Sequence, residues 1–253
     1  SYALTSADAI DGKYYIWLPS AENTFPDETL RDYVLNNFDA DGDGGLDPQE
    51  IAAVTEIDVS GTADKDGGVN SLQGIEIFTG LTSLKCRYNS GITEVDTSAF
   101  PGLEVLNVGN TSITQLDISA NPALRELYCS STGITSLALG GSPALEKLHC
   151  SDTSLDKLDI SGNTALTELS CADIGLTALD VTGLTELTAL WCGGNAMNSL
   201  DISANTKLTI LHCNHMGITA LDLGSAPDLV ELNCADTMLK SLDVSGNAAL
   251  EYL

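Results

Sequence analysis

The 253-residue chain carries 36 acidic and 10 basic side chains, a formal net charge of −26, with 43% apolar and only 5% aromatic residues. The apolar fraction supports a packed core and excludes a disordered acidic tail. The charge excludes nucleic acid and anionic membrane surfaces, because both call for a basic face. No run of apolar residues is long enough to cross a bilayer, and no signal-peptide pattern is visible.

In chain order, residues 1–23 read as an arm or linker, with Tyr14-Tyr15-Ile16-Trp17-Leu18 as an apolar strand or packing segment. Residues 24–56 read as a helical cap. Pro26, Asp27 and Glu28 make a helix first turn, and Leu30, Tyr33, Val34 and Phe38 then share one helical face. Residues 39–50 place Asp39, Asp41 and Asp43 at the first, third and fifth positions of a twelve-residue loop. Gly44 stands at the sharp turn, Gly45 offers its carbonyl, Asp47 acts through water, and Glu50 closes the loop with both oxygens. Leu46 fills the apolar eighth position. The segment resembles an EF-hand loop, and the resemblance implies Ca²⁺ held by Asp39, Asp41, Asp43, Gly45, Asp47 and Glu50. A short exit helix, Glu50-Ile51-Ala52-Ala53-Val54, runs almost directly into Ile57-Asp58-Val59. A sensor needs a paired hand and a partner groove. Asp64-Lys65-Asp66-Gly67 echoes the motif, but its twelfth position is Ile75, so one hand stands alone and calcium is expected as a structural brace on the cap.

Residues 57–80 read as an irregular first coil. From residue 81 to 253 the chain follows a ruler, eight full units and the start of a ninth. Cysteines at 129, 150, 171, 192, 213 and 234 stand 21 residues apart, with Cys86 two units upstream, the first unit carrying one extra residue near Ser90-Gly91. Leucines open each unit, as at Leu124, Leu145 and Leu166, and recur three residues later. A fixed period of this length marks a solenoid. Each unit divides into a half reading L-x-x-L-x-C and a half reading L-x-x-L-D-I/V, as in Leu155 to Ile160. Both halves alternate apolar and polar residues, which predicts two short strands per coil on different sides. Stacked at ~4.8 Å per coil, nine starts give a rod roughly 40 Å long. The cysteines fall on inward slots, where a free thiol acts as a small hydrophobe. Parallel Cβ vectors one rung apart suit a disulfide poorly, and the absence of a Cys-x-x-Cys pair argues against zinc.

Residues 81–253 resemble the leucine-rich repeat family, specifically short bacterial repeats, and Leu72-Gln73-Gly74-Ile75-Glu76-Ile77-Phe78 resembles the irregular early repeat of internalin-like proteins. The resemblance implies a mostly β fold with short helices, a right-handed coil of 21-residue units capped by the helical EF-hand segment. The family's turn asparagine is present at Asn195, but the same slot holds Thr111, Thr132, Thr153, Ile174, Met216 and Thr237 elsewhere, which argues against a regular asparagine ladder there.

Two outward columns differ. Between the apolar residues of the second half stand Asp96, Asp117, Asp159, Asp180, Asp201, Asp222 and Asp243, with Ala138 the exception. Solvation and protection against sheet association account for this column better than a cation ladder does, since one oxygen column offers too few ligands per site. Just before the cysteines the outward slot varies: Lys85, Asn107, Tyr128, His149, Ser170, Trp191, His212 and Asn233. Arg87, Tyr88 and His215 lie slightly downstream. Variable outward residues on a constant core are where repeat proteins place ligand contacts, and Tyr, Trp and Arg anchor interfaces. Lys85, Arg87, Tyr88, Tyr128, His149, Trp191, His212 and His215 are therefore the expected binding face. No nucleophile motif is present, and His149 and His212 stand three coils apart, about 14 Å, too far to share a metal.

The expected protein is a non-enzymatic bacterial binding module, secreted or on the cell surface, with a lipid anchor upstream of residue 1 as one mode of attachment. A protein is the first-choice partner and a glycan the second. A spacer between other modules is the different class of answer. The chain ends at Leu253 without a polar terminal cap, so further repeats or a partner are expected over that end.

Overall fold

The computed structural model describes residues 9–10, 13–14 and 24–253. At the N-terminus β1 (Ala9–Ile10) and β2 (Lys13–Tyr14) pair antiparallel. Of the apolar segment expected over residues 14–18, Tyr15 to Leu18 lie outside the described residues.

The cap begins with α1 (Glu28–Phe38). Asp27 starts it, its Oδ1 accepting from the Leu30 N–H at 2.9 Å and its Oδ2 from the Asn70 N–H at 2.8 Å. One carboxylate thus caps the helix and ties it to a loop 43 residues downstream. Leu30 and Val34 are buried, with Tyr33 and Phe38 packed at their margin. Three of the four phenylalanines meet here: Phe25 stacks on Phe78 at 6.0 Å, and Phe38 meets Phe78 edge-on at 5.8 Å. The second helix, α2 (Pro48–Ala53), starts with proline in its first turn and a capping box between Asp47 and Glu50.

Nine three-residue strands form one parallel sheet in chain order: β3 (Glu56–Asp58), β4 (Ser83–Lys85), β5 (Val105–Asn107), β6 (Glu126–Tyr128), β7 (Lys147–His149), β8 (Glu168–Ser170), β9 (Ala189–Trp191), β10 (Ile210–His212) and β11 (Glu231–Asn233). The register places Leu84, Leu106, Leu127, Leu148, Leu169, Leu190, Leu211 and Leu232 in one inward row. A one-residue slip would turn that whole row to solvent, so burial fixes the pairing. Ile57-Asp58-Val59, which resembles a second-half segment in sequence, instead supplies the first rung: Ile57 pairs with Leu84 and Asp58 with Lys85.

The expectation of two strands per coil is corrected to one. Among the described residues, the second half of each unit makes no ladder. In seven of the eight coils an Asp there engages the local backbone instead. The carboxylates of Asp96, Asp117, Asp159, Asp180, Asp201 and Asp243 each accept from the backbone N–H two residues on, at 2.9 to 3.1 Å, and Asp222 does so with Gly224. These Asx turns satisfy a donor within the coil, and the Ala138 coil, which lacks one, forms no second strand either, so the turns accompany the irregular backbone without being its sole cause. Leu137, Leu158 and Leu179 are only half-buried, whereas Leu139, Ile160 and Val181 are fully buried. The recurrence of aspartate thus has a local cause besides solvation.

At the next corner a second device appears. Asn121, Asn163, Asn205 and Asn247 occur every 42 residues, on alternate coils, and all are buried. Each Nδ2 donates to two carbonyls of the preceding coil, as Asn205 does to Val181 at 2.9 Å and Leu184 at 2.8 Å. Ser142 contributes on an intervening coil by donating its hydroxyl to the Asn121 carbonyl at 3.0 Å.

Cys86 to Cys213 are fully buried in their inward column, Cys234 is half-buried, and all seven thiols are free. Burial pushes the thiols of Cys86, Cys150 and Cys213 up to about 12, so they pack as apolar groups. No described helix is long and apolar enough to cross a membrane.

Candidate functional site

The strand face brings together only part of the expected set. Tyr128, His149, Trp191 and His212 end β6, β7, β9 and β10 on the outward side, and their rings form a continuous edge-to-face series. Tyr128 and His149 are 4.9 Å apart between ring centroids, His149 and Trp191 5.9 Å, and Trp191 and His212 6.4 Å. The His149–Trp191 contact spans two rungs, because Ser170 on β8 is too small to separate the rings. Such contacts hold large side chains in place before any partner arrives.

Period-two geometry sets a second column two residues upstream on the same face. It holds Glu126, Lys147, Glu168, Ala189, Ile210 and Glu231. These residues were not expected at the site, although their spacing from the cysteines marks them in the sequence. The Tyr128 hydroxyl donates to Glu126 at 2.8 Å. His212 Nε2 lies 2.7 Å from Glu231, and His149 Nε2 3.6 Å from Glu168. Lys147 Nζ is 3.1 Å from Glu168 and 4.0 Å from Glu126, which raises its pKa through the Glu168 contact. Burial lowers the pKa of His149 against the opposing pull of Glu168, and its buried Nε2 lacks a hydrogen-bond partner. Burial, then the bond to Glu126, raises the pKa of the Tyr128 phenol.

The remaining expected residues stand apart. Lys85 on β4 is paired with Glu56 at 2.6 Å, with Asn107 between it and the aromatic series. Arg87 lies over the Tyr88 ring at 4.6 Å. Tyr88 and His215 belong to a third column in which each coil turns through the left-handed region, with φ of 55° and 52°. Its other members include Asp152, Asp173 and Asp236, and His215 Nδ1 is 3.3 Å from Asp236.

In the cap, α1 and α2 flank residues 39–47. Carboxylate oxygens of Asp39, Asp41 and Asp43 lie within 4.8 Å of one another. Backbone donors order them: Asp39 Oδ1 accepts from Gly42 at 2.8 Å and its Oδ2 from Gly44 at 2.9 Å, while Asp43 Oδ1 accepts from Gly45 at 2.9 Å. Gly42 and Gly44 have φ of 72° and 86°, a conformation that costs glycine nothing. Asp47 does not join this cluster; it caps α2, accepting from Gln49 and Glu50. Glu50 spans the loop, accepting from Ala40 at 2.6 Å and Asp47 at 2.8 Å. Asp41 accepts from the Asp43 N–H, which favours its charge, yet burial and repulsion from Asp43, Glu50 and Asp39 leave its pKa raised. Clustered hard oxygens under mutual repulsion are the donor set that suits a hard dication, and the residues present fit calcium.

No protein-family model matches the chain, and no curated protein matches it in sequence. Solved structures do. A functional domain of InlJ from Listeria monocytogenes, described as including a cysteine ladder, is 30% identical with a TM-score of 0.80 over 91% of this chain and 55% of its own. The chain therefore spans about half of that structure. The internalin InlF of Listeria monocytogenes is 23% identical with a TM-score of 0.82, over 92% of this chain and 70% of its own. InlP of Listeria monocytogenes is 20% identical with a TM-score of 0.72, over 94% and 72%. The repeat register and these likenesses agree: the chain has the leucine-rich-repeat solenoid fold of these bacterial proteins.

Proposed function

We propose that this protein is a non-enzymatic binding module, secreted or displayed on a bacterial surface, that recognises another protein through the outward face of β6–β11. The observation that carries this reading is the continuous ring series from Tyr128 to His212 on a rigid sheet. Partly exposed, pre-ordered aromatic residues bind at low entropic cost. The internalin likeness supports the same reading.

The test is quantitative capture of surface proteins by the intact chain and by a Trp191→Ala, His212→Ala variant. Loss of two interface anchors is expected to weaken capture by more than about 30-fold. Because both side chains lie outside the core, thermal unfolding should change little. Unchanged capture would assign the chain to a spacer role.

Calcium, in this reading, braces the cap through Asp39, Asp41, Asp43, the Gly45 carbonyl and Glu50, with Asp47 one step removed through water. Saturating calcium should raise the melting temperature by several degrees, as ligand linkage requires. Asp41→Ala should abolish the rise, and an unchanged wild-type melting temperature in chelator would remove calcium from the fold.

A further inference from the structure

We propose that the aromatic face selects a partner presenting arginine or lysine side chains, with the cation seated at Trp191 beside Glu168. The proposal rests on the strand face being the binding surface. It adds the chemistry of what binds.

The face already contains one example of its own preference. Lys147 sits between Glu126 and Glu168, one rung from each, beside the Tyr128 and His149 rings. Toward the C-terminal end a wider gap, three rungs between carboxylates instead of two, holds no lysine or arginine. There Glu168 and Glu231 bracket β9 and β10, where Ala189 and Ile210 occupy the positions equivalent to Lys147. Trp191 stands on the outward side of that gap, in contact with His149 and His212. Indole is the strongest aromatic partner for a cation, and a guanidinium can stack on it while its N–H fork meets a carboxylate.

Charge complementarity points the same way. Glu126, Glu168 and Glu231 face outward with Asp152 and Asp173 in the adjacent column, and Lys147 is the single ammonium among them. Glu168, which also meets Lys147, and Glu231, which also meets His212, keep 30% and 41% of their side-chain surface in contact with solvent, so an incoming donor still has access to them. A polyanionic partner would meet repulsion across the whole face. A neutral glycan would stack on Trp191 yet leave the acidic excess of this face without a counter-charge.

Trp191 is one of two tryptophans, so a Trp17→Phe background makes it the single fluorescent reporter. The probes are an acetylated, amidated tetra-arginine peptide, its citrulline counterpart of nearly equal shape, and a neutral gluco-oligosaccharide. The arginine peptide should shift Trp191 emission saturably, and the citrulline peptide should bind at least about tenfold more weakly, the expected loss of a charge-assisted contact. Glu168→Gln with Glu231→Gln should weaken arginine binding by about tenfold or more. The control pair Asp180→Asn with Asp201→Asn removes equal charge on the return side, keeps the Asx acceptor, and should change binding less than about twofold given screening at physiological salt. Equal weakening by both pairs would reduce the effect to net charge and overturn the proposal. Equal binding of the arginine and citrulline peptides, or a response only to the oligosaccharide, would also overturn it. The protein-binding reading stands or falls separately, on capture by the Trp191→Ala, His212→Ala variant.

Discussion

The two sides of each coil begin from nearly the same text and end as different structures. On the strand side, Leu-x-x-Leu-x-Cys gives one rung of a continuous parallel sheet, with backbone donors running to the next coil, as from Cys129 to His149 at 2.8 Å. On the return side, Leu-x-x-Leu-Asp-Ile gives an irregular bend in which Asp159 accepts from the backbone N–H of Ser161, two residues on. The difference lies in where an N–H finds its acceptor. Side-chain alternation reports only which residues face the core.

Three experiments sharpen this contrast, in order of expected effect. Leu190→Ala on the strand side should cost about 2–5 kcal/mol, because a fully buried side chain leaves a cavity between coils with little freedom to collapse. Urea unfolding measures it, and coupling between neighbouring repeats should spread the loss beyond one coil. Should the variant lose no more than a surface substitution would, the inward leucine row is not what stabilises the sheet.

At the return corner, Asn163→Leu should cost only about 1 kcal/mol. The Ser142 and Leu139 carbonyls keep their backbone donors when Nδ2 is lost, and Leu184 occupies the same slot one coil later. A loss as large as that of Leu190→Ala would show that the asparagines, rather than the leucines, dominate the stacking.

The smallest effect belongs to the aspartates and appears against pH. Asp180 is held below its usual 3.8 by the hydroxyl and then the N–H of Thr182, so its contribution is present above that value and is lost as pH falls through the folded-state pKa. His149 behaves in the opposite sense on the strand side. Burial lowers its pKa below 6.5, so the unfolded chain binds the proton more readily and stability declines as pH falls from 6.5. Denaturation midpoints should therefore fall in two stages. His149→Gln should flatten the first, and Asp180→Ala should blunt the second, while Asp180→Asn should keep the neutral-pH stability by retaining the acceptor. A single acidic transition unaffected by His149→Gln would contradict this division.

The cysteine spacing and the paired leucines made the coil and its inward rows legible, because burial repeats at a period that the chain must declare in residue type. Flanking residues of the acidic loop were legible for the same reason: Asp27, Leu30 and Val34 carry local cap and core signals. The outward slot was legible as a list, yet its grouping was not. Lys85 and Arg87 looked equivalent to Trp191 in sequence, while the fold gives Lys85 to Glu56 and stacks Arg87 on Tyr88. The Glu126 to Glu231 column was visible at constant spacing, but its significance depends on ring contacts between coils.

By itself, the sequence determined the repeat length, the inward rows and the position of the helical cap, since these follow from local periodicity and capping chemistry. Only the tertiary structure decided that one half of each coil pairs and the other bends, and that four aromatic side chains on separate rungs become one acidic-edged surface. Those outcomes depend on which groups from neighbouring coils come within hydrogen-bond or ring-contact distance, and residues 21 apart in the chain cannot express that until the coils stack.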